Sequence, residues 1–360
     1  MRRRTLVVAV LTVAVFGWFL SHANVAAVWT EVQRARLGLL VGSFLAVALS
    51  YAIRAWRWQY LLAPIGPTRF RTAFRTTVIG FAALGLLPAR AGDVLRPYLL
   101  ARQEGLQVSA TIATIIFERV LDLVAVLVLL AVHVWWLANP STIPPALLRP
   151  IEISSAMAAV VAVGLLAAMW TLATHPERIG GLVLTAGRVL PRALAERLAG
   201  LARTFSSGFA VARRPRELAA AIAWSFPLWI AIAAEVWLVT VAFDITMPFT
   251  GTFLVQALLV IGVSAPTPGG VGTYHEAYRI GVTTFFGAPG DAAVAAAIVT
   301  HAISYFPVIL TGLLFMIQDG LTLGRLQALA GGERRGRISA TPPEEVPAPH
   351  EMSVLRPSGR

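Results

Sequence analysis

The chain has 360 residues, of which 57% are hydrophobic and only 13% charged, and its mean hydropathy is +0.72. Soluble domains carry about 25% charged residues, so this composition lacks the polar surface to stay in water and predicts a membrane-embedded protein. All 30 basic residues are arginine and there is no cysteine, which excludes disulfides, thiolate chemistry and lysine Schiff bases. The net charge of +12 has a membrane reading rather than a nucleic-acid one, because the arginines gather in loops beside apolar segments.

In chain order, Arg2, Arg3 and Arg4 precede an apolar run from Thr5 to Leu20. This reads as a signal peptide, with a cleavage site near Ser21-His22-Ala23, or as an uncleaved first span. The number of later spans favours the span. Full spans are expected at about 6–21, 37–60, 109–137, 151–173, 218–242 and 292–318, each close to the roughly 20 residues needed to cross a bilayer core. Arg54, Arg57, Arg69, Arg71 and Arg75 crowd the region after the second span, and residues 174–216 hold eight arginines. Arg325, Arg334, Arg335 and Arg337 follow the last span, whereas 138–150 has only Arg149 and 243–249 only Asp244. Assigning the basic loops to the cytoplasm of a bacterial inner membrane places both termini inside.

That assignment holds only if the stretches at about 73–100 and 250–287 each enter and leave on one side, or cross twice. Both therefore read as re-entrant or broken helices, which survive at membrane depth only when buried in protein or lining a wet cavity. Residues 174–216 read as amphipathic helices on the inner interface or as a soluble loop with two short helices. The expected organisation is a transmembrane domain over 1–320 and a disordered, proline-rich cytoplasmic tail over 321–360. The fold class is all-α and polytopic, with about six full spans and two broken elements.

The two broken elements resemble each other. Pro88, Gly92, Arg96 and Tyr98 recur 180 residues later as Pro268, Gly272, Glu276 and Tyr278. The topology makes them inverted copies, and interrupted apolar segments in corresponding positions of inverted repeats point to a transporter's midplane site. Two unrelated tight turns would give the same short match.

Charges sit inside the apolar segments. Glu118 and Asp122 are four residues apart and share a helix face, with Arg119 beside them. A lone charge at the bilayer centre costs at least about 2.5–3.5 kcal/mol, so these groups pair with one another or face a polar path. Either Arg119 and Asp122 lock the helix to Arg90, Asp93 or Arg96, or Arg119 receives an anionic headgroup. Arg90, Asp93 and Arg96 repeat the theme, and arginine's planar fork suits phosphate. Pro268, Gly269, Gly270 and Gly272 form a turn whose N–H groups can face an anion, with Glu276 following. Arg54, Arg57 and Trp58 read as an interfacial anchor, with headgroup contact as the alternative, and His301 and Tyr305, on one face, as packing residues rather than a proton relay. The histidines have no metal-ligand spacing; no metal or cofactor is expected.

Four motifs then stand in order: R-x-x-R-W at 54–58, P-x-R-x-G-D-x-x-R at 88–96, F-E-R-x-x-D at 117–122, and P-T-P-G-G-V-G-x-x-x-E at 266–276. Together they resemble the flippase-like family named for the transmembrane region of lysylphosphatidylglycerol synthase, over about residues 35–320. The family has glutamate where this chain has Asp93, so the same charge sits on a shorter arm. The resemblance implies translocation of a polar or charged lipid between leaflets, with anionic or aminoacylated headgroups as partners. The aminoacyl-transfer domain of the synthases has no expected counterpart here, and no catalytic constellation is visible, so no enzyme activity is expected. A membrane scaffold for a glycosyltransferase or lipid-modifying enzyme is the alternative. Nucleic acid is not an expected partner, and the oligomeric state is not legible.

Overall fold

The computed structural model describes residues 24–86, 91–137, 210–264 and 267–320, with isolated positions at 17 and between 149 and 174. Among the described residues the protein is all-α: α1 (Val25–Arg34), α2 (Leu37–Leu62), α3 (Phe70–Leu86), α4 (Ala91–Glu104), α5 (Val108–Val132), α6 (Pro215–Ala242), α7 (Gly251–Ser264), α8 (Thr273–Phe286) and α9 (Gly290–Gln318). The expected spans at 37–60, 109–137, 218–242 and 292–318 are α2, α5 (continued by a π-helical turn, His133–Leu137), α6 and α9. The expected spans at 6–21 and 151–173 and the tail fall outside the described residues, isolated positions apart, as does the interfacial segment up to 209; its end is a 3-10 turn (Ala210–Arg213) leading into α6. The chain divides into two units, Met1–Leu321 and Thr322–Arg360. Helix α1 was not anticipated; the Asn24 side chain accepts from the N–H groups of Ala26 and Ala27 at 3.1 and 3.2 Å and starts it, as an N-cap does.

Length separates two classes of helix. Helices α2, α6 and α9 have 26, 28 and 29 residues and are apolar enough to cross a membrane. Helix α5 is nearly as long, at 25 residues, but carries Glu118, Arg119 and Asp122 in one turn. By contrast α4, α7 and α8 have 14 residues each, about 21 Å at 1.5 Å per residue, too short for a core of about 30 Å. The short helices pair into hairpins, α3 with α4 and α7 with α8.

Each hairpin is antiparallel. A Cβ on Gly92 of α4 would lie 2.0 Å from the Gly80 carbonyl of α3, so only glycine lets these backbones meet, the small-residue contact of membrane helices. In the second hairpin Gly251 lies against Phe286 and Gly262 against Thr273. The turn between α7 and α8 contains Gly269, Gly270 and Gly272 at φ of 62°, 72° and 87°, values that side chains beyond glycine seldom adopt.

Long helix, hairpin, long helix is thus the order of both halves: α2, α3–α4, α5, then α6, α7–α8, α9. The corresponding helices α2 and α6 run antiparallel. Arg36 N–H donates to the Ala242 carbonyl at 3.1 Å and its side chain pairs with Asp244. Further along, Ser43 Oγ donates to the Glu235 carbonyl at 3.2 Å, and Arg57 to Ser225 Oγ at 2.9 Å. Helices α2 and α6 therefore run in opposite directions, as inverted copies would require. The exchange extends outward: α9 packs on α3, with Gly312 against Val78 and Ala82 and Ile309 against Gly85, while α5 packs on α7.

The core follows the same division. Ala55, Trp58, Leu61, Leu100, Ala113 and Leu121 fill the first half; Val236, Val239, Tyr278, Ala293 and Ala296 fill the second. Phe306, Leu310, Leu314 and Ile317 form an exposed apolar stripe along α9, the face a helix turns toward lipid.

Candidate functional site

The helical period directs Glu118 and Asp122 to one side of α5, where α2, α4 and α6 converge. Arg96 of α4 donates to Glu118 Oε1 at 2.9 Å. Arg57 of α2 donates to Asp122 Oδ1 at 2.7 Å and lies 3.6 Å from Glu118. Arg54, one helical turn earlier, stands 3.5 Å from both carboxylates. From α6, Ser225 accepts a second bond from Arg57, and Trp229 Nε1 donates to Asp122 at 3.2 Å. The Arg96 guanidinium also lies 3.9 Å over the Trp58 ring, whose Nε1 donates to Thr114 Oγ1 at 2.9 Å. That stack adds a cation–π attraction where water is excluded.

This cluster is buried: Arg57 and Glu118 are 0% exposed and Arg96 2%. Arg119 extends from the same turn of α5 toward α4, where it donates to Asp93 Oδ1 at 2.7 Å, and it is part-exposed. Among the described residues four guanidiniums therefore face three carboxylates, an excess of one positive charge. Arg57 Nε and Nη2, Arg96 Nε and Nη2, and the acceptor Glu118 Oε2 are buried without a hydrogen-bond partner, Arg57 Nη2 keeping only its 3.6 Å ion-pair contact with Glu118. Buried donors are normally satisfied, and leaving them idle costs about 1–3 kcal/mol each. Guanidinium donors of this forked kind match the geometry of an oxyanion.

Beside it, Gly80, Phe81, Leu84, Gly92, Asp93 and Arg96 line a cleft of about 150 Å³ with no room for a water-sized sphere; the site is closed. Phe81 is its inner wall, 4.9 Å from the Arg54 guanidinium, 5.9 Å from that of Arg119, and edge-on to Tyr51 at 5.3 Å. At the ends of α3 and α9 a wider cavity of about 390 Å³ is lined by Arg69, Arg71, Thr72, Arg75, Gln103, Gln318 and Asp319.

The expected residues are only partly brought together. Asp93, Arg96, Glu118, Arg119 and Asp122 converge, and Gly92 supplies the close contact that holds α4 to α3. Arg119 pairs with Asp93, while Arg96, not Arg119, holds Glu118. Arg90 lies outside the described residues. The interfacial-anchor expectation for Arg54, Arg57 and Trp58 does not hold: they are 7%, 0% and 0% exposed, because the carboxylates of α5 offer the arginines better partners than headgroups. Trp56 alone of that motif points outward, at 45% exposure.

Pro268, Gly269, Gly270 and Gly272 build the second hairpin's turn, and Glu276 pairs with Arg279 one turn along α8. The turn approaches the end of the first hairpin: a Cβ on Gly269 would lie 3.8 Å from the Gly85 carbonyl oxygen. Two histidines fix its shape. His301 bonds to the Gly269 carbonyl at 2.8 Å, and His275 Nδ1 accepts from Gly272 N–H at 3.1 Å. Expected as packing residues, His301 and Tyr305 do stack, at 4.4 Å between ring centroids, but His301 also pins the turn.

The sequence reading passed over Ser225, Trp229 and Glu235. Ser225 and Trp229 give no signal, since neither is unusual in an apolar helix. Glu235 does: it is a single acid inside the apolar run 218–242, and it is 4% exposed.

Residues 6–312 match the family described as the lysylphosphatidylglycerol synthase TM region, and the chain belongs to that family. It is 25% identical over 342 residues to a protein named glycosyltransferase AglD from Haloferax volcanii, covering 88% of this chain and 54% of that protein. It is 40% identical over 67 residues to the UPF0104 membrane protein MJ1078 of Methanocaldococcus jannaschii, covering 19% of this chain and 28% of the relative. The chain thus spans about half the length of the first relative and less of the second.

Proposed function

We propose that this member of the lysylphosphatidylglycerol synthase TM-region family moves a lipid with an anionic, phosphate-bearing headgroup between leaflets of a bacterial cytoplasmic membrane. In this reading both termini are cytoplasmic and no covalent chemistry is catalysed. The observation that carries it is the buried guanidinium cluster, with one positive charge in excess and idle donors on Arg57 and Arg96. Arginine binds phosphate through two parallel N–H groups, and the idle pairs are of that kind. The headgroup first meets Arg69, Arg71 and Arg75 in the wider cavity. It then passes Arg119 and Asp93 as the cleft opens, and exchanges for the carboxylates on Arg57 and Arg96. Antiparallel repeats support the reading, since they place equivalent paths toward opposite leaflets.

The test is transfer of fluorescent phosphatidylglycerol across proteoliposome membranes, read by quenching of the outer leaflet. Substituting Arg96→Gln together with Glu118→Gln keeps the local charge balance and removes the Arg96 fork, leaving that of Arg57. Transfer is expected to fall to the protein-free rate while the fold survives; transfer at the wild-type rate would refute the assignment. A second reading, a membrane accessory to a glycosyltransferase, is favoured by the longer relative named as one. It expects the same double variant to keep its cellular role and loss of the partner enzyme to abolish it.

A further inference from the structure

The second half contains a buried carboxyl that the arginine cluster does not use. Glu235 lies on α6 at 4% exposure, and no arginine among the described residues stands within ion-pair distance of it. Its bonded neighbour is Ser304 of α9. Ser304 has a single hydroxyl proton and two acceptors, because its Oγ also lies 2.9 Å from the Thr300 carbonyl. A protonated carboxyl is itself a donor, so both contacts are satisfied at once when Glu235 donates to Ser304 and Ser304 donates to Thr300. An ionised carboxylate at this depth with no cation beside it is costly.

Among the described residues, groups from three helices lie around Glu235. Helix α2 offers Tyr51, behind which stand Arg54 and, from α4, Arg96. Helix α8 offers Tyr274, which also faces Ser304, and beyond it His275. Helix α9 offers His301 and Tyr305, whose rings lie 5.0 and 6.4 Å from that of Tyr274. The His301 ring is 4.6 Å from that of His275, and both histidines hold the glycine turn. A continuous set of polar and ring contacts thus runs from Glu235 through Ser304, Tyr274 and His301 to Gly269, at the tip that meets the first hairpin.

We propose that Glu235 is a proton-binding site and that its loss of the proton loosens the second hairpin, so that lipid transfer is coupled to proton movement. Only what the proton drives rests on the transfer reading above; proton binding and hairpin release do not. No bond is made or broken beyond the O–H: the proton leaves the Glu235 carboxyl for water reached when the tip opens, and returns from the other side.

Because the chain contains no cysteine, one placed at Val271, in the turn, reports tip opening. Its rate of modification by a maleimide is measured across pH in full-length protein, in permeabilised proteoliposomes, with Glu235 and with Glu235→Gln. The ratio of the two rates cancels the reagent's own pH dependence and any acid-side change from His275 and His301, common to both. It is expected near unity in acid and to rise several-fold as pH rises. A ratio flat across pH overturns the proposal. Should Glu235→Gln fail to fold, Ser304→Ala replaces it, and an unshifted midpoint of the rise overturns the proposal instead. Transfer of fluorescent phosphatidylglycerol under an imposed pH gradient is the second arm: acceleration with Glu235 and none with Glu235→Gln is expected. No transfer of the probe beside a pH-dependent ratio refutes the transfer reading and leaves the proton site standing; gradient-independent transfer beside a flat ratio refutes the proton site alone.

Discussion

Replacing Glu118 with glutamine is the most demanding test of the cluster's energetics. Glu118 is fully buried and faces Arg96 at 2.9 Å, Arg54 at 3.5 Å and Arg57 at 3.6 Å. The substitution preserves shape and removes one negative charge, so four guanidiniums face two carboxylates and the local excess doubles. Breaking a buried ion pair by neutralising one partner costs about 3–5 kcal/mol, because the other is left uncompensated. Against a typical total stability of about 5–15 kcal/mol, that is a large share, and the three arginines on this carboxylate place the expected loss at the upper end. Neutralising Arg96 as well, with Arg96→Gln, restores the original balance and is expected to recover more than half of the loss. Unfolding in mixed detergent micelles measures all four members of the cycle, and the coupling term isolates the pair from unrelated damage. The reasoning fails if Glu118→Gln costs less than about 1 kcal/mol, the worth of a solvated pair, or if the second substitution deepens the loss.

Two further outcomes follow from separate contacts. Gly92→Ala forces a methyl to within 2.0 Å of the Gly80 carbonyl, so α3 and α4 must separate; overpacking of this kind costs about 1–3 kcal/mol or more, read as a lowered midpoint in the same micelle assay, and an unchanged midpoint would show the hairpin to be looser than described. Asp93→Asn breaks a part-exposed pair with Arg119, so stability is expected to change by less than about 1 kcal/mol. Vesicles containing anionic lipid should instead bind the variant more tightly than the wild-type protein, since Arg119 loses its short pair and keeps the longer contact with Asp122 at 3.8 Å, and unaltered binding would count against its role at the cleft.

Much of this architecture can be read from the residue string for a physical reason. Apolar run length reports helix length directly, so α2, α6 and α9 end within a few residues of their expected limits. The broken elements were legible because proline and glycine interrupt a hydrophobic run at Pro88–Gly92 and Pro268–Gly272. Glu118, Arg119 and Asp122 announced a site because charge inside a span is expensive wherever it occurs. Their partners did not: Arg54 and Arg57 sit at the end of a span beside tryptophans, where a snorkelling anchor and a buried ligand have the same local sequence. Only the antiparallel arrival of α6 and the inward face of α5, both long-range, decide between them. Glu235 shows the opposite failure, a costly residue in plain view whose meaning depends on Ser304, far along the chain.

The approach of the second hairpin's turn to the end of α3 has an electrical consequence. A Cβ added at Gly269 would lie 3.8 Å from the Gly85 carbonyl oxygen, so the two halves come within a few ångströms of each other there. Wherever water reaches both sides of such a contact, the transmembrane voltage falls across that short thickness rather than across the whole bilayer. A single charge carried past it gains or loses about 2.3 kcal/mol per 100 mV. On the proposed transfer reading, resting voltage alone would give a charged headgroup passing this point a preferred direction.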